Sequence, residues 1–501
     1  MSIRAGCLVV AAWVAMGCGG GGPVVNRHLL IVLDGLRPDY VQPHLMPALY
    51  ELGQRGVQPS RHHAVFPTVT RVNAASISTG AYPETHGLLG NEVFFPDVEA
   101  GRFLTTSDRA NLLRIETETD DTLLSTGTLA EVLQRNGHRL LVVSAGSSGS
   151  SYLLNHTVAD GAIVHYDYSL PPALHDRAVE TLGAVPEAGT PNHERNRWIV
   201  DAFLDVALTE VDPTVTLLWL SDPDTTAHAH GIGHPTMVEA LFRLDAEIQR
   251  VQDGLAAAGR LESTNIWVTS DHGFSEHTGA AELTTILERF AGELEGGMPR
   301  VVAGAGAVYV RDEDAATVAR IVSALQASER VGAVFTRAAH DGADEGVVPG
   351  TLAFGVANWD HARSAQILFS PRWTDVVGEY GFPGTAAQVG VAGHGSASPF
   401  DIHNTLVATG PDLKNGVSSN VPSGNVDFAP TFLYTLGLDI PSAMQGRVLH
   451  ELLTTGPDPS QVVTDTTEVR VETDDGGYVV TAQRSHVDGR TYLDEAAVER
   501  E

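Results

Sequence analysis

Lysine is almost missing from this chain. Lys414 is the only one in 501 residues, so 30 of the 31 basic residues are arginine (31 − 1). It follows Pro411-Asp412-Leu413 and not a glycine-rich phosphate loop, which excludes Walker-type nucleotide hydrolysis. The lysine pattern of protein kinases is absent too. Schiff-base chemistry would have to rest on this one amine. Positive charge is scarce in general: 31 Lys+Arg against 62 Asp+Glu gives −31. No nucleic-acid partner is expected, because binding one takes a basic stripe that neutralises phosphates. An anionic substrate would need another attractor, and a bound metal is the obvious one.

Cysteine is nearly as rare. Cys7 and Cys18 both fall in the first 18 residues, which leaves the body of the chain without a disulfide framework. That N-terminal stretch runs Arg4, an apolar segment from Ala5 to Met16, Cys18 and the glycines from Gly19 to Gly22. It is too short for a membrane span and reads as a secretory signal. Ala15-Met16-Gly17-Cys18 resembles a bacterial lipoprotein box. The expectation is an exported protein at the periplasm or cell surface, with residues 1–18 as signal, 19–26 as a tether and Cys18 lipidated. Plain cleavage near Gly17 or Gly22 is the alternative. Membrane contact is expected through this anchor alone.

What remains is globular: 43% hydrophobic and 19% charged. His28-Leu29-Leu30-Ile31-Val32-Leu33 is a continuous apolar run, as in a parallel strand buried on both faces. Similar runs occupy 139–143, 215–220 and 265–269. Between Pro235 and Gly259, apolar Met237, Leu241, Leu244, Ile248, Val251 and Leu255 recur at helical spacing. The alternation predicts an α/β fold with a mostly parallel sheet covered by helices. The catalytic body is expected over 27–457, with insertions near 97–125 and 300–390. The second insertion carries its own strand (307–310) and helix (315–325). Residues 458–501 are expected to form a β-hairpin closing on an edge of the sheet, its strands flanking Asp474-Asp475-Gly476-Gly477.

Three acids stand just beyond predicted strands: Asp34, Asp224 and Asp271. Sites in open α/β sheets lie outside the carboxyl ends of the strands, so these three should converge. Asp224 has His228 four residues on, His272 follows Asp271, and His394 is flanked by Gly393 and Gly395. Carboxylate and imidazole without thiolate suit zinc, with manganese or iron less favoured. His62, His63, His230, His234 and His450 are read as ordinary surface or core residues.

The string Phe66-Pro67-Thr68-Val69-Thr70-Arg71-Val72-Asn73, then Ser78-Thr79-Gly80-Ala81-Tyr82-Pro83, His86-Gly87 and Asn91 carries more. It resembles the signature of the type I phosphodiesterase/nucleotide pyrophosphatase family of the alkaline phosphatase superfamily. The resemblance continues through Asp224 to His228, Ser270-Asp271-His272-Gly273 and Gly393-His394-Gly395, and spans roughly residues 27–455. It implies an alkaline-phosphatase-like fold and a hydrolase of phosphoric esters or anhydrides that forms a phospho-threonine. It further implies Thr70 as nucleophile and Asn91 as a hydrogen-bond donor to a phosphoryl oxygen. Two zinc ions are implied: one held by Asp34, Thr70, Asp271 and His272, the other by Asp224, His228 and His394.

The chain also departs from the family pattern. Arg71 stands where nucleotide-cleaving members carry an aromatic residue, Val72-Asn73-Ala74 replaces Pro-Asn-His, and Ala227 replaces a glycine. Arg71 is therefore a candidate substrate-binding residue. The expected substrate is a small anionic phosphate ester, with weak preference for nucleotides. Asn73-Ala74-Ala75-Ser76-Ile77 is similar to the phosphonoacetate hydrolase branch, but the cap lysines of that branch are missing. The alternatives are a phosphonate or phosphomonoester hydrolase on the same core and, outside enzymes, a surface-binding lipoprotein with a relict site.

Overall fold

The computed structural model describes residues 26–120, 122–294 and 297–500. The signal, tether and Cys18 lie outside the described residues, apart from Asn26. Five parallel strands form the centre of a nine-stranded sheet. They are β1 (Arg27–Leu33), β2 (Leu140–Ser144), β3 (Ala162–His165), β4 (Val215–Leu220) and β5 (Thr264–Thr269). Their spatial order is β5-β1-β4-β2-β3. An antiparallel strand, β6 (Leu406–Thr409), flanks β5.

The continuous apolar run of β1 is explained by its two faces. Leu29, Ile31 and Leu33 enter one core, together with Met237, Leu241, Leu244, Ile248, Val251 and Leu255 of the long helix Pro235–Ala257. Leu30 and Val32 enter a second core, with Ala74, Ala75 and Ile77 of α1 (Thr70–Thr79). Register does the rest. Val32 pairs with Thr269 and Leu33 with Leu220, so β5, β1 and β4 end at the same level. Asp34, Asp224 and Asp271 follow those ends.

The stretch near 97–125 is more than a loop. Its helix Arg109–Glu118 buries Leu112 and Ile115 in the second core. The later insertion builds a five-stranded sheet with the helix Ala315–Gln326 over a third core.

The C-terminal hairpin needs correction. Thr464–Glu472 and Tyr478–Val487 are joined by a third strand, Arg490–Arg500, in an antiparallel sheet of their own. It does not close on the main sheet edge. Its Val469, Tyr478, Val480, Ala482, Leu493 and Ala496 bury into the third core, and Tyr478 donates its hydroxyl to the Gly332 carbonyl at 2.7 Å. An alternating strand has one apolar face to cover, and here the insertion covers it. The third strand had a visible signal: Asp488-Gly489, both at positive φ, forms the tight turn before it.

Candidate active site

All seven expected ligand and nucleophile positions gather at the carboxyl ends of β1, β4 and β5. Asp34 leaves β1, and Asp224 opens α2 (Asp224–His230), which carries His228 one turn on. Asp271 and His272 leave β5. Thr70 is the first residue of α1, and His394 lies in the loop after the short strand Ala392–Gly393. Glycine is required at two close approaches. A Cβ on Gly35 (φ +74°) would meet Asp224 Cβ at 3.1 Å, and one on Gly393 would meet His277 Cε1 at 2.5 Å and His228 Cε1 at 3.2 Å.

Each histidine is aimed by the backbone carbonyl of another residue. His272 Nδ1 donates to the Gly273 carbonyl (2.9 Å), His228 Nδ1 to Ala392 (2.9 Å) and His394 Nδ1 to Thr68 (2.8 Å). A carbonyl only accepts, so each Nδ1 carries the proton and each Nε2 turns a lone pair inward. His272 Nε2 faces Asp271 Oδ2 at 3.1 Å, Asp34 Oδ1 at 3.6 Å and Thr70 Oγ1 at 3.3 Å. Asp224 Oδ1 faces His228 Nε2 at 3.2 Å and His394 Nε2 at 3.4 Å.

Lone pairs therefore meet lone pairs. Asp34 Oδ1, Asp224 Oδ1 and Asp271 Oδ2 are buried and have no hydrogen-bond partner among the described residues. Groups of this kind are stable together only around a cation or a trapped proton. The same crowding shifts the proton affinities of the carboxylates. Burial, then the Asp271 and Asp224 carboxylates, pushes Asp34 well above the carboxylate range, and burial followed by Asp224 raises Asp271 to about 7. Burial also acts to raise Asp224, but with a proton trapped on His228 and His394 their Nε2 groups donate to it, outweigh burial and hold the carboxyl well below its usual range. The chemistry of the donor set fits divalent cations. The ligand atoms of Asp34, Asp224 and His272 lie within 4.8 Å of one another, as do those of Asp224, His228 and His394. Asp224 stands at the junction of the two groups. The first group is almost closed to solvent, while the second opens outward at His228, whose side chain is 45% exposed.

Asn91 and Arg71 stand beside Thr70. Val69, preceding α1, offers no side-chain cap, and Asn91 Oδ1 instead accepts the Arg71 N–H at 3.0 Å. That bond fixes the amide orientation and leaves Nδ2, a donor, without a partner among the described residues. The Arg71 guanidinium is partly buried, interacts with Asp34, Asp224 and Asp271, and forms no salt bridge among the described residues. It is not a solvent-facing arginine.

Some contributors carry no sequence signal. Trp219 Nε1 donates to Asp34 Oδ2 at 3.0 Å, and the Gly35 N–H donates to Asp271 Oδ1 at 3.1 Å. Asn73, by contrast, stands in the signature string, and it ties down the turn before Thr70, accepting from Val65 N and donating to the Val65 and Val69 carbonyls. One further trio, His63, His403 and Asp494, has metal-like spacing. Its carboxylate is already saturated by Arg61, Ser485 and His63, so it is a structural network tying the C-terminal sheet to the body.

Residues 28–383 match the family described as type I phosphodiesterase / nucleotide pyrophosphatase. The chain belongs to that family. Among curated relatives, mouse ectonucleotide pyrophosphatase/phosphodiesterase family member 1 is 25% identical over 268 residues, covering 53% of this chain and 26% of the relative. Venom phosphodiesterase CdcPDE of Crotalus durissus collilineatus is 25% identical over 250 residues, covering 50% of this chain and 26% of the relative. Venom phosphodiesterase 1 of Crotalus adamanteus is 25% identical over 250 residues, covering 50% of this chain and 25% of the relative. The chain thus spans about a quarter of the length of these relatives. Murine ectonucleotide pyrophosphatase/phosphodiesterase 5, solved with AMP, superimposes with a TM-score of 0.58 at 18% identity, covering 86% of this chain and 100% of that one. This likeness shows the fold of the family member described here: a mostly parallel, alkaline-phosphatase-like sheet flanked by helices.

Proposed function

We propose that this protein is a metal-dependent phosphoric-ester hydrolase of the phosphodiesterase/nucleotide pyrophosphatase type, with Thr70 as its nucleophile. The observation that carries the reading is the convergence of three unpartnered carboxylate oxygens and three inward Nε2 atoms beside a buried threonine hydroxyl. Asp34, Asp271 and His272, with Thr70, would hold one zinc, and Asp224, His228 and His394 the other. When bound, the two ions supply Lewis-acid stabilisation of charge on the entering and leaving oxygens.

The chain's own residues do the rest. Thr70 sits at a helix N-terminus, whose dipole favours the alkoxide once the hydroxyl proton has left to solvent. Its oxygen attacks phosphorus, the P–O bond to the leaving group breaks, and a phospho-threonine forms. Asn91 Nδ2 donates to a phosphoryl oxygen. Arg71 forms a charge-assisted contact with an anionic oxygen of the substrate. Water then cleaves the phospho-threonine, releasing the phosphoryl product and restoring the hydroxyl. Export and lipid anchoring at Cys18 complete the proposal, resting on the N-terminal pattern. No helix of the described residues is long and apolar enough to cross a membrane.

The test joins metal analysis to Thr70. The active protein should contain two zinc ions and lose turnover of an aryl phosphodiester on chelation. Thr70→Ala should lower kcat by several orders of magnitude and Thr70→Ser should keep part of it. A phosphoryl group trapped on any other residue, or activity without a transition metal, overturns the mechanism.

A further inference from the structure

Beside His394 and Asn91 the surface opens into a cavity of about 170 Å³. Phe66 and Val69, from the turn before Thr70, form one wall. Leu368 and Phe369, from the later insertion, and Leu283, from the short helical segment before it, form the other. Phe66, Leu283, Leu368 and Phe369 are each at most 9% exposed and belong to the third core, so the cavity is preformed and rigid. Neither arginine nor lysine lines it, and the one ionisable acid on its wall is Glu282, which is exposed at the rim.

We infer that this cavity is a subsite for one uncharged, ring-sized arm of the substrate. The inference rests on the proposed function and adds the identity of the group next to phosphorus. Three observations carry it. The cavity shares His394 and Asn91 with the site, so an arm entering it starts where phosphorus would sit. Most of its wall is apolar, with Asn91, Gln388 and His394 as polar contributors, and burying an aromatic or branched aliphatic group against Phe66, Val69, Leu283, Leu368 and Phe369 removes that surface from water. Its size matches a single ring, since a cavity of ~150 Å³ lined by Leu, Ile and Phe takes up benzene. A nucleoside is too large to be enclosed.

Charge separates the two ends. Arg71 interacts with the metal-side carboxylates and is not among the cavity residues. The anionic head thus belongs at Arg71 and the metals, and the apolar arm under the insertion. A second negative charge on that arm would approach Glu282 with no cation to receive it.

Single-armed phosphonic acids test this directly, because the one substituent must be the group that enters. Methyl-, phenyl- and 4-carboxyphenylphosphonate are titrated calorimetrically into the metal-loaded full chain, and as competitive inhibitors of aryl-ester turnover. Phenylphosphonate should bind ~10–100-fold tighter than methylphosphonate, and the carboxyphenyl compound should lose that gain. Leu283→Trp, which fills the cavity with apolar volume, should bring the phenyl-to-methyl ratio near unity while leaving methylphosphonate binding and metal content unchanged. Glu282→Lys should restore the carboxyphenyl compound and leave the other two as they were. Equal binding of all three by the unaltered protein overturns the subsite but not the hydrolase. Binding of none of them, with no phosphoric ester turned over, overturns both.

Discussion

Trp219 makes a sharp test of the metal-site reading. Its indole is fully buried in β4, and Nε1 donates to Asp34 Oδ2 at 3.0 Å, leaving Oδ1 free to face the site. Trp219→Phe keeps an aromatic ring but deletes the donor, so one oxygen of a carboxylate already raised by burial loses its partner. A hydrogen bond to a charged group contributes ~1.5–3 kcal/mol. At ~1.4 kcal/mol per decade this is a ~10–100-fold loss of metal affinity, the range usual when a ligand's hydrogen-bond partner is removed. Trp267→Phe is the control: it too is fully buried, in the neighbouring region of β5, but donates to His28 Nδ1 at 3.3 Å. Zinc affinity measured by competition with a chelator should fall in the first variant and hold in the second. Equal affinities in the two variants would refute the positioning role of Trp219.

The other expectations are brief. Arg71→Phe should lower kcat/KM for strongly anionic esters ~10–100-fold, the cost of one charge-assisted contact, while sparing diesters with neutral leaving groups. Identical treatment of both substrate classes would remove Arg71 from recognition. Stability should fall in mild acid, because burial pushes His28 and His165 down to about 4 and His62 and His86 down to about 3, from 6.5. Between those values the unfolded chain binds more protons than the folded one. The contribution is complete above 6.5 and is lost as pH drops, at about 1.4 kcal/mol per pH unit for each histidine. Denaturant midpoints should show this between pH 7 and 5, with a shallower slope in His165→Phe; an unchanged slope counts against it.

Much of the fold could be read because burial on two faces leaves a direct mark. A strand such as β1, whose neighbours alternate between two cores, must be apolar at every position, and its end is marked by the first acid. The helix after Pro235 was legible for the same reason, its six apolar residues all meeting one core. The C-terminal sheet was half legible. Alternation announced two strands and Asp488-Gly489 marked the third, but a one-sided apolar strand does not name the surface that covers it. Trp219 and the carbonyls of Thr68, Gly273 and Ala392 left no trace, since any buried strand can hold a tryptophan and every residue has a carbonyl.

The same division separates chemistry from specificity in this molecule. Asp34, Asp224, Asp271 and His272 hang from strand ends whose register is fixed by the two cores of the main sheet. Their positions follow from pairings such as Leu33 with Leu220, and a change in one would displace a whole strand. The cavity wall formed by Leu283, Leu368 and Phe369 belongs to the third core, which the insertion and the C-terminal sheet build together. On the proposed function, substitutions there should alter what lies against the arm of a substrate without moving the strand ends that carry Asp34, Asp224, Asp271 and His272. Arg71 is the exception: it is fixed on the helix that Thr70 opens, and on the proposed function it would bear on the group every substrate shares. On the proposed function, the head of the substrate would be read by the sheet and its helices, and the arm between the turn before Thr70 and a replaceable outer layer.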